Sequence, residues 1–252
     1  MTGRSPLPDF YRLLRFEEVD STNEEAKRQA QAGATEGLVI WADSQTSGRG
    51  RRGRVWVSPK GNLYFSTLLR PRGSAGSVAQ LGFAAALAIG EAALSMLPTN
   101  APLSYKWPND VLVGGKKLAG ILLESQAGFD GRVEWLVVGI GVNLTSFPEL
   151  TEYPATSLEA AGADIVAPLA MLSAIASRFV PWYERWSQEG FEPLRDAWLA
   201  HVHGLGETIR VRLDRYEMTG RFAGLDPTGA LLIDTGQSVQ SVAAGDVFPI
   251  AG

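Results

Sequence analysis

Between two apolar runs, at residues 38–42 and 62–69, lies the segment Gly48-Arg49-Gly50-Arg51-Arg52-Gly53-Arg54. It follows neither the two-residue period of a strand nor the 3.6-residue period of a helix, and its glycines would weaken either. The whole stretch from 44 to 54 therefore reads as a loop, and a long one. Arginines this close repel one another, so a folded chain carries them best where anions share the site. The glycines leave the backbone free to turn its N–H groups toward such an anion. Two other readings stay open: a solvated basic loop and a contact for RNA. Against RNA stand 23 Lys plus Arg set beside 27 Asp plus Glu, a net charge of −4, and the lack of aromatics inside the run. Trp56 is the nearest aromatic residue after it.

The chain has no cysteine and two histidines, His201 and His203. Disulfides, cysteine-zinc sites and thiol nucleophiles are excluded, and a His-rich metal cage or catalytic triad has little to draw on. Chemistry must come from Arg, Lys, carboxylates, amides and hydroxyls. At 252 residues, one large domain, alone or with a small partner, is expected. The most apolar stretch, residues 81–97, is Ala-rich, interrupted by Glu91 and too short for a bilayer, so it reads as a buried helix. The opening residues lack the apolar core of a signal peptide, and a soluble, cytoplasmic protein is expected.

Residues 15–20 read as a strand. Ser21 with Glu24, and Thr22 with Glu25, fit a capping box, and Gly33 fits a helix stop. Further strands are expected at 38–42, 62–69, 103–107 and 134–142. A hairpin is expected over 111–113 and 118–123 around Gly114-Gly115. Leu172, Ile175, Phe179, Tyr183 and Trp186 mark an amphipathic helix that Pro181 should bend or end. From Glu207 on, short strands at 208–213, 219–225, 230–234 and 238–243 suggest a small β-barrel. The expected class is α+β: a mixed sheet with packed helices over residues 1–204, and a small barrel over 205–252.

A second charged segment, Lys106-Trp107-Pro108-Asn109-Asp110, is followed by Gly115-Lys116-Lys117-Leu118-Ala119-Gly120. A carboxylate able to hold a cation, close to lysines able to hold phosphates, is one way to grip a nucleotide with Mg²⁺. A plain hairpin with a polar turn is the other reading. Two nucleotide motifs fail. Gly139-Ile140-Gly141-Val142-Asn143 has Leu144 at the third glycine position of a dinucleotide fingerprint, and Lys117 stands where a P-loop needs Ser or Thr.

Asp20-Ser21-Thr22-Asn23, Gln45, the 48–54 loop, Trp56, 106–110, 117–120 and 139–143 stand in the order and spacing seen in biotin–protein ligases. The chain resembles that family over about residues 15–250. The resemblance implies a catalytic domain of class II aminoacyl-tRNA synthetase-like fold and an SH3-like C-terminal barrel. It also implies two steps: ATP and biotin give biotinyl-5'-adenylate and pyrophosphate, then the biotinyl group passes to a lysine of a biotin carboxyl carrier protein. By match to the motifs, Ser21, Thr22, Asn23, Gln45, Gly48, Arg49, Gly50, Arg51, Lys117 and Gly120 are implied on the biotin side. Arg51, Arg54, Trp56, Asn109, Lys117 and Asn143 are implied on the ATP side. Arg51, Lys117 and Asp110 are the implied catalytic set, with Asp110 holding Mg²⁺ or positioning Lys117. Too few residues precede the first strand for the N-terminal DNA-binding domain of some members. The monofunctional form is therefore expected, without DNA or membrane, as a candidate homodimer. A lipoate–protein ligase and a non-enzymatic RNA-binding module are the alternatives. Two further expectations follow: the arginines cannot pack against one another until an anion arrives, and the small barrel, which holds no ligand motif, supports the nucleotide side or the carrier protein.

Overall fold

The computed structural model describes residues 7–249; the outer limits of the two expected domains, at 1 and 252, lie outside the described residues. Strands β1 (Arg12–Val19) and β2 (Leu38–Gln45) run parallel, and α1 (Thr22–Gln31) makes the crossover that a parallel pair requires. After β3 (Leu63–Leu69) come α2 (Ala75–Val78) and the Ala-rich α3 (Leu81–Leu94). Strands β4 (Leu103–Lys106), β5 (Asp110–Val113), β6 (Lys116–Ala127) and β7 (Val133–Val142) complete a seven-stranded sheet of order β1-β2-β3-β7-β6-β5-β4. Every pairing but the first is antiparallel.

β2 and β7 are buried on both faces, which is why β7 reads as a continuous apolar run rather than an alternation. Val39, Trp41, Leu136 and Val138 point into the large core built with α3 and α4 (Pro168–Glu189). Leu38, Ile40, Trp135 and Val137 point the other way, onto Ala26 and Ala30 of α1. Gly114 and Gly115 have φ of 58° and 71°, the left-handed pair that a two-residue type I′ hairpin needs.

Three local readings change. Ser21 does stand at the N-cap of α1, but no side-chain hydrogen bond caps the helix. α4 runs through Pro181 as one helix. A helix missing from the sequence reading, α5 (Glu192–Leu199), leads into the C-terminal strands.

Strands β8 (Thr208–Arg212), β9 (Glu217–Leu225), β10 (Leu231–Asp234), β11 (Val239–Val242) and β12 (Asp246–Pro249) form an antiparallel sheet of order β11-β10-β9-β8-β12. Among the described residues no ladder joins the two outer strands. Ile209, Val211, Phe222, Leu231 and Ile233 belong to the same hydrophobic cluster as α3, α4 and the large sheet. Trp107 donates its indole N–H to the Gly229 carbonyl at 3.1 Å. The small sheet is thus fastened to the rest by shared core and does not close a core of its own.

Candidate active site

A pocket of about 380 Å³ opens where the start of α1, the ends of β2 and β5, the middles of β6 and β7, the 48–57 loop, residues 148–153 and the start of β12 converge. Its size suits a small-molecule ligand. One wall is a network of neutral groups. Gln45 Oε1 accepts from the Thr22 backbone N–H at 2.8 Å and lies 3.2 Å from Thr22 Oγ1. Gln45 Nε2 donates to Ser58 Oγ at 2.9 Å. Ser66 Oγ lies 2.8 Å from Thr22 Oγ1 and 2.6 Å from Asn23 Oδ1. Asn23 Nδ2 in turn donates to Glu124 Oε2 at 2.9 Å. Ser21, Thr22, Asn23 and Ser66 are all buried, and the hydroxyl and amide groups of Thr22, Asn23 and Ser66 are fixed by one another.

The floor is made of missing side chains. Gly120 and Gly141 are register partners on β6 and β7, and the Trp56 ring lies against both. A Cβ added to Gly141 would fall 2.6 Å from Trp56 Cε2, and one on Gly120 would fall 2.9 Å from Cζ3. Gly139, two residues along the same face, lies under Asn23; a Cβ there would meet Asn23 Oδ1 at 2.0 Å. Gly48 passes below the loop, where a Cβ would meet the Trp56 carbonyl oxygen at 2.3 Å. The Trp56 indole N–H is buried without a protein partner.

At the far end sits a lysine pair. Lys117 Nζ is 2.5 Å from Asp110 Oδ1, Lys106 Nζ is 2.9 Å from Oδ2, and Lys117 also lies 5.3 Å from the Trp56 ring centre. Burial pushes the Asp110 pKa up, but the two ammonium groups outweigh it and hold the carboxyl at about 2. Of the two roles expected for Asp110, the geometry favours positioning Lys117. Both its oxygens carry an ammonium partner, and no group of three or more His, Cys, Asp or Glu gathers among the described residues. Asp110 thus offers at most one carboxylate to an ion that the nucleotide phosphates would otherwise hold.

The anions that the arginine loop meets in the fold itself are carboxylates from other elements. Arg51–Gly53 form one 3₁₀ turn, with Arg52 left-handed at φ 55°. Arg49 pairs with Glu24 and, at 3.4 Å, with Glu124. Arg52 pairs with Asp214 at 2.6 Å and Asp246 at 3.4 Å, and Arg54 with Asp246 at 2.6 Å. Arg51 forms no carboxylate pair among the described residues; its Nη1 donates to the Gly245 carbonyl at 3.3 Å. Burial lowers its pKa and the nearby Asp246 offsets this in part. It is the guanidinium left over for a ligand.

The pocket brings together Ser21, Thr22, Asn23, Gln45, Arg49, Gly50, Arg51, Arg54, Trp56, Asn109, Asp110, Lys117, Gly120 and Asn143; Gly48 lies just beneath. Asn109 and Asn143 use their amide N–H groups locally, on the Ile121 and Thr156 carbonyls at 2.6 and 2.9 Å. Among the described residues their side-chain carbonyl oxygens have no hydrogen-bond partner. Several residues in or behind the pocket wall were not assigned to the site from the sequence. Gly139 and Gly141 were visible as alternate glycines on one strand face, a sign of close approach. Ser66 was a lone hydroxyl in an apolar strand. Glu152, Tyr153, Asp246 and Phe248 gave no local signal, although Asp246 and Phe248 belong to the C-terminal sheet that was expected to support the nucleotide side or the carrier protein.

The chain matches the biotin/lipoate A/B protein ligase family over residues 16–143, and the biotin protein ligase C-terminal domain over residues 204–248. It is 42% identical over 235 residues to a biotin–[acetyl-CoA-carboxylase] ligase of Paracoccus denitrificans, covering 91% of this chain and 97% of the relative. It is 33% identical to the bifunctional ligase/repressor BirA of Bacillus subtilis, covering 93% of this chain and 73% of that one. A biotin protein ligase from Aquifex aeolicus, solved with biotin and ATP, superposes with a TM-score of 0.80 at 32% identity, over 95% of this chain and 98% of that one.

Proposed function

The chain belongs to the biotin/lipoate A/B protein ligase family, and we propose that it activates biotin with ATP and passes it to a lysine of a biotin carboxyl carrier protein. One observation carries the reading: a wall of buried neutral hydrogen-bonding groups runs without a break into a cluster of cationic side chains, inside a single small-molecule pocket. A ureido ring is neutral, with donors and an acceptor on its edge. The Ser21 hydroxyl, the Thr22 hydroxyl and the Gln45 amide match it, and an unmatched group would cost about 1–3 kcal/mol.

In the first step a biotin carboxylate oxygen bonds to the α-phosphorus and the bond to pyrophosphate breaks. Two anions must meet. Arg51 and Lys117 are the cations assigned to that charge, preorganised before it develops. Asp110 holds Lys117 on station, and Lys106 keeps the trio net positive. Trp56 walls the ligand on the glycine floor, and Arg54, Asn109 and Asn143 line the nucleotide side. In the second step the carrier amine attacks the acyl carbon and AMP leaves with the bonding pair. No histidine or cysteine is needed. Mg²⁺ arrives with the nucleotide phosphates, and no step here is routed through a protein-held ion.

The test is pyrophosphate release from ATP on adding biotin, followed by biotin incorporation into a carrier-domain lysine. Release driven by lipoate instead would transfer the reading to that substrate, and release by neither would remove it. We also propose a cytoplasmic, homodimeric protein, the second of which sedimentation at micromolar concentration decides.

A further inference from the structure

The neutral wall and the arginine loop are joined by an unbroken chain of contacts. From Gln45 it passes to Thr22, to Ser66 and to Asn23; Asn23 Nδ2 donates to Glu124 Oε2 at 2.9 Å. The other carboxylate oxygen of Glu124 lies 3.4 Å from Arg49 and 3.0 Å from Lys27. Glu24, at the start of α1, holds the same guanidinium and the same lysine. On β6 the residues Gly120, Leu122 and Glu124 share a face, so Glu124 stands two positions beyond the last strand residue that lines the pocket. It touches no ligand site itself. Burial raises its pKa, but the Asn23 and Lys27 hydrogen bonds and the Arg49 charge bring it below the ordinary value, so its ionised form is the one favoured.

We propose that Glu124 is a positioning residue that couples the biotin wall to the arginine loop: one carboxylate orients Asn23 on one side and anchors Arg49 on the other. A ring docking on Thr22 and Asn23 tightens the network that holds Arg49, and the loop then meets the nucleotide with less ordering left to do. An ordering cost met by the first ligand is not met again by the second, which is positive coupling between the two sites. The inference rests on the adenylation reading and adds to it the part through which one substrate prepares the site for the other.

The experiment is calorimetry on the full chain, titrating biotin with and without α,β-methylene-ATP, whose α,β bridge does not break. The unaltered protein should bind biotin about tenfold more tightly with the nucleotide present. Glu124→Gln keeps the shape and the Asn23 contact but removes the charge on Arg49. Because Arg49 is half exposed and keeps Glu24, the coupling should fall about fivefold rather than vanish. Arg49→Gln should give the same loss, and the double variant no more than either single one. Glu124→Asp, which keeps the charge, should restore part of the coupling. Additive losses, or full coupling in Glu124→Gln, overturn the proposal. Should Glu124→Gln not fold, Arg49→Gln decides alone, since it leaves Asn23 and Glu124 intact: retained coupling refutes. A chain that releases pyrophosphate with biotin yet shows no coupling keeps its function and loses this inference. A chain that releases none loses the function itself.

Discussion

The two sides of the pocket hold their polar groups in opposite ways. On the wall, Gln45, Thr22, Ser66 and Asn23 satisfy one another over short distances, are buried, and rest on backbone made flat by Gly139. On the loop, Arg49, Arg52 and Arg54 satisfy none of their needs locally. They reach carboxylates on α1, β6 and the C-terminal sheet, through side chains that remain partly exposed. A prebuilt wall suits a neutral rigid ring, whose hydrogen bonds must be matched on arrival. A loop held by borrowed carboxylates suits a polyanion, because phosphate oxygens can take over those guanidinium contacts without leaving the pairs unsatisfied beforehand.

The sharpest way to break this contrast is to disturb the wall. In Gly139→Ala the new methyl falls 2.0 Å from Asn23 Oδ1, which is fixed by Ser66 and cannot yield cheaply. Overpacking together with a displaced buried amide costs about 3 kcal/mol or more, so biotin affinity should fall more than about a hundredfold. Near-normal affinity by calorimetry would mean that the wall adapts as the loop does.

Lys117 stands at the seam between the two. Lys117→Ala should slow pyrophosphate release about a hundredfold while changing biotin affinity less than about threefold, since its charge matters as phosphate charge develops. A large loss of biotin binding with normal chemistry would assign Lys117 to the wall.

Loop changes should cost less and show elsewhere. Arg51→Gly and Asp246→Asn should each still make adenylate but lose it about tenfold faster, as one charged anchor is worth about 1.5–3 kcal/mol. The measurement is dissociation of preformed adenylate together with biotin labelling of an inert bystander protein. Unchanged retention in both variants would show that the loop is no latch. The smallest effect belongs to Glu152→Gln. Its forked pair with Arg212, at 2.7 and 2.8 Å, is half exposed, so retention should change by no more than about twofold. A tenfold change there would mean that residues 148–153 share the work of the loop.

Much of this was legible in the chain because it is local. Gly114-Gly115 announces its hairpin, the apolar run of β7 announces a central strand, and the segments at 20–23, 45–56 and 106–120 announce the pocket by motif. Residues that act through distant partners stayed hidden. Asp246 meets Arg54 across 192 positions and Asn23 meets Glu124 across 101, and no periodicity carries that information. The second capping box considered for α1 misled for a related reason: the Thr22 hydroxyl is spent on Gln45 and Ser66. Pro181 does not end α4, because tertiary packing along the helix overrides a single lost backbone bond.

The distance between Arg54 and Asp246 also sets a timetable. On a ribosome adding about 5–20 residues per second, the arginines emerge about 10–40 s before the carboxylate that holds two of them. Contacts so remote in sequence form late. A nascent chain that has made only the wall and the arginine loop therefore lacks the Asp246 carboxylate on which Arg52 and Arg54 rest. If that contact is the latch, a chain cut short before Asp246 would be the one to scatter its product.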